Sequence, residues 1–420
     1  MARAEALAVF PVNILYLCHR IPYPPDKGDK IRSFHQIEYL SRSHRLHVGC
    51  LIDAEEDRGH VAALQPYCAS LDAVWRGKAG AHLRAARALL GSGSLSVAAF
   101  HSPDLARRIE RRLSEEAIDV AIVFSSQMGQ YLPRGAELPT VVDFVDVDSE
   151  KWRVYADMKP WPLSWLYRIE ADRLRRFETM LARTHDESVF VAEKEAAVFQ
   201  RGAEEVRARV IPNGVDLDYF KRNEEMPPPP DARTVVFVGM MDYFPNIDAV
   251  SYFAEDIFPL VLERSPSAVF RIVGRNPSQR VRDLGRLRNV EVVGPVADVR
   301  PYLTQAALSV APFRVARGLQ NKILESMSMQ VPVVGTTTGF QGTTAGVEDG
   351  IRVADRPESF ALAVTDFLRD PAMRLEAGRK GRRFVEQNHR WQDHGSALAA
   401  LLEEVVERRT GRVPSAGGRR

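Results

Sequence analysis

Short apolar runs with polar ends recur along the chain, and helical periodicity fills the intervals between them. In the first half the runs are Asn13–Cys18 (NILYLC), 46–52 (LHVGCLI), Val120–Phe124 (VAIVF), 140–143 (TVVD) and 188–192 (SVFVA). Helical patterns fall at 33–42, 81–90, 104–114 and 164–184, and the Pro-, Gly- and charge-rich string HRIPYPPDKGDKIR reads as a loop after the first strand. After VIPNGVDLDYF and MPPPPD the alternation restarts: Thr234–Val238 (TVVFV), Val269–Val273 (VFRIV), 290–293 (VEVV), Leu308–Ala311 (LSVA) and 332–335 (PVVG). A last helical stretch covers 373–407. Strands alternating with helices imply βαβ units and a mostly parallel sheet. A restart after a proline-stiffened stretch implies two such domains.

The expected organisation is a Rossmann-like domain over 1–212, a linker over 213–232 and a second Rossmann-like domain over 233–384. A helix over 385–408 returns to the first domain, and a basic disordered tail occupies 409–420. Two α/β domains on a stiff linker frame a cleft, and such sheets bind ligands beyond the carboxyl ends of their strands. The unusual loops all follow strands: Lys27-Gly28-Asp29-Lys30, the segment from Gly239 to Asn246, the segment from Gly274 to Pro277, and the segment from Pro312 to Gly318.

Composition narrows the function classes. A net charge of +2 gives no bulk electrostatic case for a nucleic-acid partner. Cys18, Cys50 and Cys68 form no CxxC pair, and an odd count suits a reducing compartment. No run reaches the roughly 18 apolar residues of a membrane span. The expected location is cytoplasmic.

The densest chemistry lies in VAPFRVARGLQNKILESMSMQVPVVG, residues 310–335. Its pattern is strand, glycine-containing loop, short helix and buried strand. The loop offers Arg314, Arg317, Gly318 and Leu319, and the helix opens with Gln320, Asn321 and Lys322. Unpaired N–H groups and a partial positive charge at a helix start suit phosphate. Lys322 adds a full charge. Glu325, one turn on and on the same face, suits a ribose diol. A nucleoside diphosphate fits this set. Gly239 and Gly274 end strands where backbone approaches a ligand, and Arg275 follows in reach of a nucleotide. In DFVDVD, Asp146 and Asp148 share a face if the segment is extended, and two carboxylates there suit acid/base work. No spacing resembles a metal site, and none is expected. Trp161, Trp165 and the Arg-rich stretch after them are either an amphipathic helix packed on the sheet or a basic membrane-surface element.

In order along the chain, PPDKGDK, VIPNGVD, FVGMMDYFPNIDAV, FRIVGRNP, VEVVGPVADVRPYL and NKILESMSMQVPVV resemble the retaining glycosyltransferases of family GT4, with the GT-B fold. YLCHRIPYPPDKGDKIRS and VVDFVDVDSEKW look like the subgroup associated with PEP-CTERM/exosortase exopolysaccharide loci. The resemblance implies donor binding in the second domain and acceptor binding mostly in the first. It implies a nucleotide-sugar substrate, a UDP-sugar before a GDP-sugar, and no cofactor. It implies transfer with retention to a glycan or polyprenyl-linked acceptor, with peripheral contact at the inner membrane. Lys322 and Asp146 then carry catalysis. Gly28 and Asn246 join the donor site, and Lys27, Asp29, Lys30 and Asp148 face the acceptor. The family's Glu-x7-Glu motif keeps its second member as Glu325, but Arg317 stands eight residues earlier in place of the first. The family's basic pair after the second domain's first strand is replaced by MMDYFPNIDA. These departures keep two alternatives open: a non-catalytic nucleotide-sugar-binding or scaffold member, and a nucleotide-sugar epimerase.

Overall fold

The computed structural model describes residues 11–77, 91–133, 137–222 and 233–411. The expected helix at 81–90, the MPPPPD string and most of the basic tail lie outside them. The chain divides into two compact units, Met1–Ile211 with Gln392–Arg420, and Pro212–Trp391.

The first unit is built on seven parallel strands: β1 (Asn13–Cys18), β2 (Arg45–Ile52), β3 (Ser70–Trp75), β4 (Val120–Phe124), β5 (Thr140–Val145), β6 (Glu187–Phe190) and β7 (Ala208–Val210). Their order is β3-β2-β1-β4-β5-β6-β7. Ile14 lies in register with Leu46 on one side and Val120 on the other. NILYLC shows no polar alternation because both faces of β1 are covered. Ile14 and Tyr16 face a core that includes Leu398, Leu402 and Val405 of the final helix. Leu15 and Leu17 face the opposite core, with Ile109, Leu181 and Phe199. That is the period-two alternation of a strand.

The helix expected at 33–42 runs Gly28–Leu40, so Gly28, Asp29 and Lys30 form its first turn and not a loop. Asp29 accepts from the Lys30 N–H at 3.1 Å, and a carboxylate there suits the helix dipole. Deeper in this helix Arg32 forms a buried ion pair with Asp143 of β5, Nε to Oδ2 at 2.8 Å. Gln36 donates to the same oxygen at 2.7 Å and accepts from the Tyr16 hydroxyl at 2.6 Å. Asp143 is thereby a structural anchor.

The second unit has six parallel strands: β8 (Thr234–Val238), β9 (Val269–Val273), β10 (Val290–Gly294), β11 (Leu308–Ala311), β12 (Val333–Gly335) and β13 (Ile351–Val353). Their order is β10-β9-β8-β11-β12-β13. Each sheet reverses direction once, between β1 and β4 and between β8 and β11. Such reversals open a crevice at the carboxyl ends.

The helical stretch expected over 373–407 consists of two helices, Pro371–Asn388 and Trp391–Thr410. Between them Arg390 bridges to Val215, and Val215 donates to the His389 carbonyl at 2.9 Å. Trp391 packs on Gly214, where a Cβ would stand 2.7 Å from its ring. The chain therefore leaves the second unit after Trp391, later than the 385 expected, and residues 213–222 belong to that unit rather than to a linker.

Candidate functional site

The β8/β11 reversal gathers four of the expected donor residues. Gly239 follows β8, and its N–H donates to the Val273 carbonyl at 3.0 Å. Asn246 is in the Phe244–Tyr252 helix, buried, with Nδ2 donating to the Met240 carbonyl at 2.8 Å. Lys322 comes from the Asn321–Ser328 helix after β11 and donates to Asn246 Oδ1 at 2.6 Å. A Cβ on Gly239 would stand 2.9 Å from Asn246 Nδ2 and 3.0 Å from Lys322 Nζ. Glycine leaves this point open. Gly274 closes the far side: a Cβ there would fall 1.6 Å from the Gly239 carbonyl oxygen. Its functional reading thus has a steric part, since it lets β9 hold the Gly239 loop.

Lys322 lies over two aromatic faces, 4.5 Å from the Phe237 centroid and 4.8 Å from that of Phe313. Burial pushes its ammonium down to about 7, against the attraction of Glu325. Burial also pushes Glu325 up to about 7, with Lys322 pulling the other way. Part of each side chain remains at the surface. The helix that carries them has Gln320 at its N-cap, with no side-chain cap, so its first N–H groups lack that partner. Gln320 instead donates to the Arg317 carbonyl at 3.0 Å. Asn213 donates to Asn321 Oδ1 at 3.0 Å, and the Asn213 carbonyl meets His389 Nδ1 at 2.8 Å. VIPNG therefore braces the helix start.

Gly318 has φ 61°, the left-handed conformation, and the loop it turns is pinned by the next one. A Cβ on Gly342 would sit 2.1 Å from the Gly318 carbonyl oxygen, and Gln341 donates to the Ala316 carbonyl. Leu319 is buried and Arg317 half-buried in this loop. Arg314 turns to the Phe244–Tyr252 helix, pairing with Asp248 at 2.5 and 3.1 Å and lying 4.7 Å over the Tyr252 ring. Its charge is thus matched locally. Arg275 is exposed, and its carbonyl accepts from Met241 at 2.8 Å.

The first unit has its own cluster at the β1/β4 reversal. His19, just after β1, meets Asp29 at 3.1 Å through Nε2 and stacks on Phe124, the last residue of β4, at 6.0 Å. Its Nδ1 is buried and has no hydrogen-bond partner among the described residues. Arg20 also reaches Asp29, at 2.9 Å. Burial opposes ionisation of Asp29, but His19, Arg20 and the Lys30 N–H outweigh it and hold the carboxyl well below its usual range. Lys30 points inward to Asp57 at 2.7 Å, so its ammonium is taken up inside the unit. Lys27 is the N-cap, half-buried. Beyond β5 the chain turns at Val145, φ 65°, and a helix begins at Asp148. DFVDVD is therefore not extended, and Asp146 and Asp148 do not share a strand face. Asp148 instead accepts from Gln127, after β4, at 3.0 Å. Asp146 is half-buried in the bend. His19 was not singled out from sequence. The one signal for it was position, directly after the first strand and ten residues before Asp29.

Among the described residues no group of three or more His, Cys, Asp or Glu could hold a metal ion, and no helix is long and apolar enough to cross a membrane.

Comparison with known proteins places this geometry. Sucrose-phosphate synthase from Thermosynechococcus elongatus superposes with a TM-score of 0.71 at 15% identity, covering 94% of this chain and 99% of that one. HepE of Anabaena, solved with UDP-glucose, gives 0.63 at 14% identity, covering 93% and 99%. WaaG, a glycosyltransferase involved in lipopolysaccharide biosynthesis, gives 0.60 at 16% identity, covering 95% and 100%. No curated protein matches by sequence. Residues 232–370, within the second unit, match the family described as Glycosyl transferases group 1, and the two parallel-sheet α/β units have the GT-B fold of these solved structures.

Proposed function

We propose that this protein is a retaining glycosyltransferase of the GT4 type. It takes a hexosyl-type sugar from a nucleoside-diphosphate donor and passes it to a glycan or polyprenyl-linked acceptor in exopolysaccharide assembly. One observation carries the donor half: Gly239, Asn246 and Lys322 converge at the uncapped start of the Asn321–Ser328 helix, with Glu325 one turn deeper. Lys322 and the helix N–H groups would meet the diphosphate, and Glu325 would accept from the ribose diol. As the donor bond breaks, negative charge grows on the leaving diphosphate, and these fixed positive groups stabilise it. UDP is favoured as the base carrier because HepE, of the same fold, is solved with UDP and UDP-glucose. The exopolysaccharide setting rests on the resemblance of YLCHRIPYPPDKGDKIRS and VVDFVDVDSEKW.

In the first unit, Asp146 and the His19–Asp29 pair are the groups to orient an acceptor hydroxyl. With Asp29 on Nε2, the other ring nitrogen of His19 is left to accept or donate a hydrogen bond. Arg317, where the family has a carboxylate, makes sugar selection a property of this chain's own loop. The test is release of nucleoside diphosphate from labelled nucleotide sugars, with lipid extracts as acceptor source. Acceptor-dependent release that Lys322→Ala and Glu325→Ala remove supports a transferase. Nucleotide binding without any release would instead assign a non-catalytic nucleotide-sugar-binding member.

A further inference from the structure

The most exposed aromatic side chains described in the molecule lie at one place that the donor and acceptor groups do not use. The Asp148–Asp157 and Leu163–Thr184 helices form an antiparallel hairpin. Trp152 packs on Tyr167 at 5.0 Å, Arg153 pairs with Asp172 at 3.0 Å, and Asp157 with Arg168 at 3.3 Å. Its base is locked by buried carboxylates. Glu178 accepts from the Ser149 hydroxyl at 2.5 Å and the Ser149 N–H at 3.1 Å. Glu170 accepts from Ser94 Oγ and the Leu95 N–H, both at 2.6 Å, and from the Ser96 N–H at 2.9 Å. The first helix rises from Asp148, at the carboxyl edge of the sheet, and its 10 residues carry the tip about 15 Å outward.

At that tip Trp161 is 80% exposed, Trp165 60%, Leu163 44% and Met158 39%. A soluble surface seldom presents two tryptophans and two large aliphatic side chains together without a use for them. The sequence from 158 to 167, MKPWPLSWLY, contains no acidic residue and one lysine, Lys159. Behind it stand Arg153 and Arg168, both exposed. The nearest acids are already paired with arginine: Asp157 with Arg168, Asp172 with Arg153, and Glu150 with Arg153 at 3.7 Å. Tryptophan at an apolar tip that carries a lysine and no acid is the composition that settles at the headgroup level of an anionic bilayer.

We infer that the tip at residues 158–165 is a membrane-docking element that seats on an anionic lipid surface. Trp161, Leu163 and Trp165 enter the headgroup boundary, with Lys159 at the lipid phosphates and the Arg153 and Arg168 ion pairs just behind. The hairpin rises from the same carboxyl edge as His19 and Asp148, so docking would bring a membrane-embedded acceptor to the side of the sheet that carries those groups. The docking itself does not depend on the transferase reading, and its test uses no nucleotide.

The experiment is vesicle flotation of the full chain with phosphatidylcholine alone and with added phosphatidylglycerol, comparing wild type with Trp161→Ser/Trp165→Ser. Wild type should float with the anionic vesicles, lose binding as salt rises, and show blue-shifted tryptophan emission. The double variant should bind about tenfold less or weaker still. Its melting temperature should be unchanged, because both side chains lie outside the core. Wild type that fails to float with anionic vesicles overturns the inference, as does equal binding by the double variant. A tip whose removal abolishes only self-association, seen by sedimentation without lipid, overturns it in favour of a protein partner.

Discussion

Lys322 should make donor binding a proton-uptake reaction. In the free protein, burial holds its ammonium down to about 7. A donor diphosphate beside Nζ supplies the charge that desolvation removed and returns the group toward its ordinary value near 10.4. The sign follows directly. Below pH 7 the lysine is already protonated, so its contribution to affinity is flat, and the fall expected there comes from protonation of Glu325. Above pH 7 a proton must be taken up on binding, so affinity falls by about tenfold per unit while the bound form stays protonated. At pH 8 only about a tenth of the free protein carries that proton, so binding should take up ~0.9 proton. Glu325, pushed up to about 7, is largely ionised at pH 8 and adds little to the balance. A nucleotide sugar is the right probe, because the terminal phosphate of a free diphosphate titrates near about 6 itself. The assay is titration calorimetry in two buffers of different ionisation enthalpy, on wild type and Lys322→Met. Uptake near zero at pH 8, or equal uptake in the methionine variant, would refute the reasoning.

Glu325→Ala should weaken nucleotide binding by about 1.5–3 kcal/mol, the range for a hydrogen bond to a charged group, and weaken a 2′-deoxynucleotide less. Calorimetry with both ligands checks this. Gly274→Ala places a Cβ 1.6 Å from the Gly239 oxygen, so backbone must move. A loss of about 1–3 kcal/mol in denaturant titration, with weaker donor binding, is expected. Asp143→Ala strands the buried Arg32 guanidinium, 1% exposed, and should cost about 3–5 kcal/mol in the same assay. Arg32→Met/Asp143→Leu should recover most of it. His19→Ala should lower acceptor-dependent turnover by about a hundredfold or more while leaving nucleotide affinity unchanged, which separates an acceptor role from a donor role.

Most strand positions were legible because a strand covered on both faces reads as an uninterrupted apolar run. Asn13–Cys18, Val120–Phe124, Thr234–Val238, Val269–Val273 and Leu308–Ala311 fall where that pattern puts them. β3 was not legible. SLDAVW carries Asp72 in its middle, and two arginines distant in sequence, Arg112 at 3.2 Å and Arg108 at 3.8 Å, make that carboxylate tolerable inside. β13 is three residues long, with Arg352 and Val353 exposed, too short to show a period. The Gly28–Leu40 helix began five residues early for a related reason. Its first turn reads as a charged loop until Asp29 finds His19 and Lys30 finds Asp57. In the candidate donor site the glycines and Lys322 stood out, since residue type and place after a strand are local signals. Local signals did not reveal that Arg314 would turn to Asp248, or that Phe237 and Phe313 would lie beneath Lys322. The Arg314–Asp248 and Phe237–Lys322 contacts join residues more than sixty positions apart, and the Phe313–Lys322 contact forms only once the intervening loop folds back.

The most direct test of a donor site at Lys322 is a thermal-shift panel of UDP, GDP, ADP and their common sugars on wild type and Lys322→Ala. Ligand that binds only the folded protein raises the melting temperature by mass action. One nucleoside diphosphate, with UDP expected, should raise it in wild type and leave the variant unmoved. No shift with any of them, or the same shift in Lys322→Ala, would contradict a nucleotide site built on this lysine.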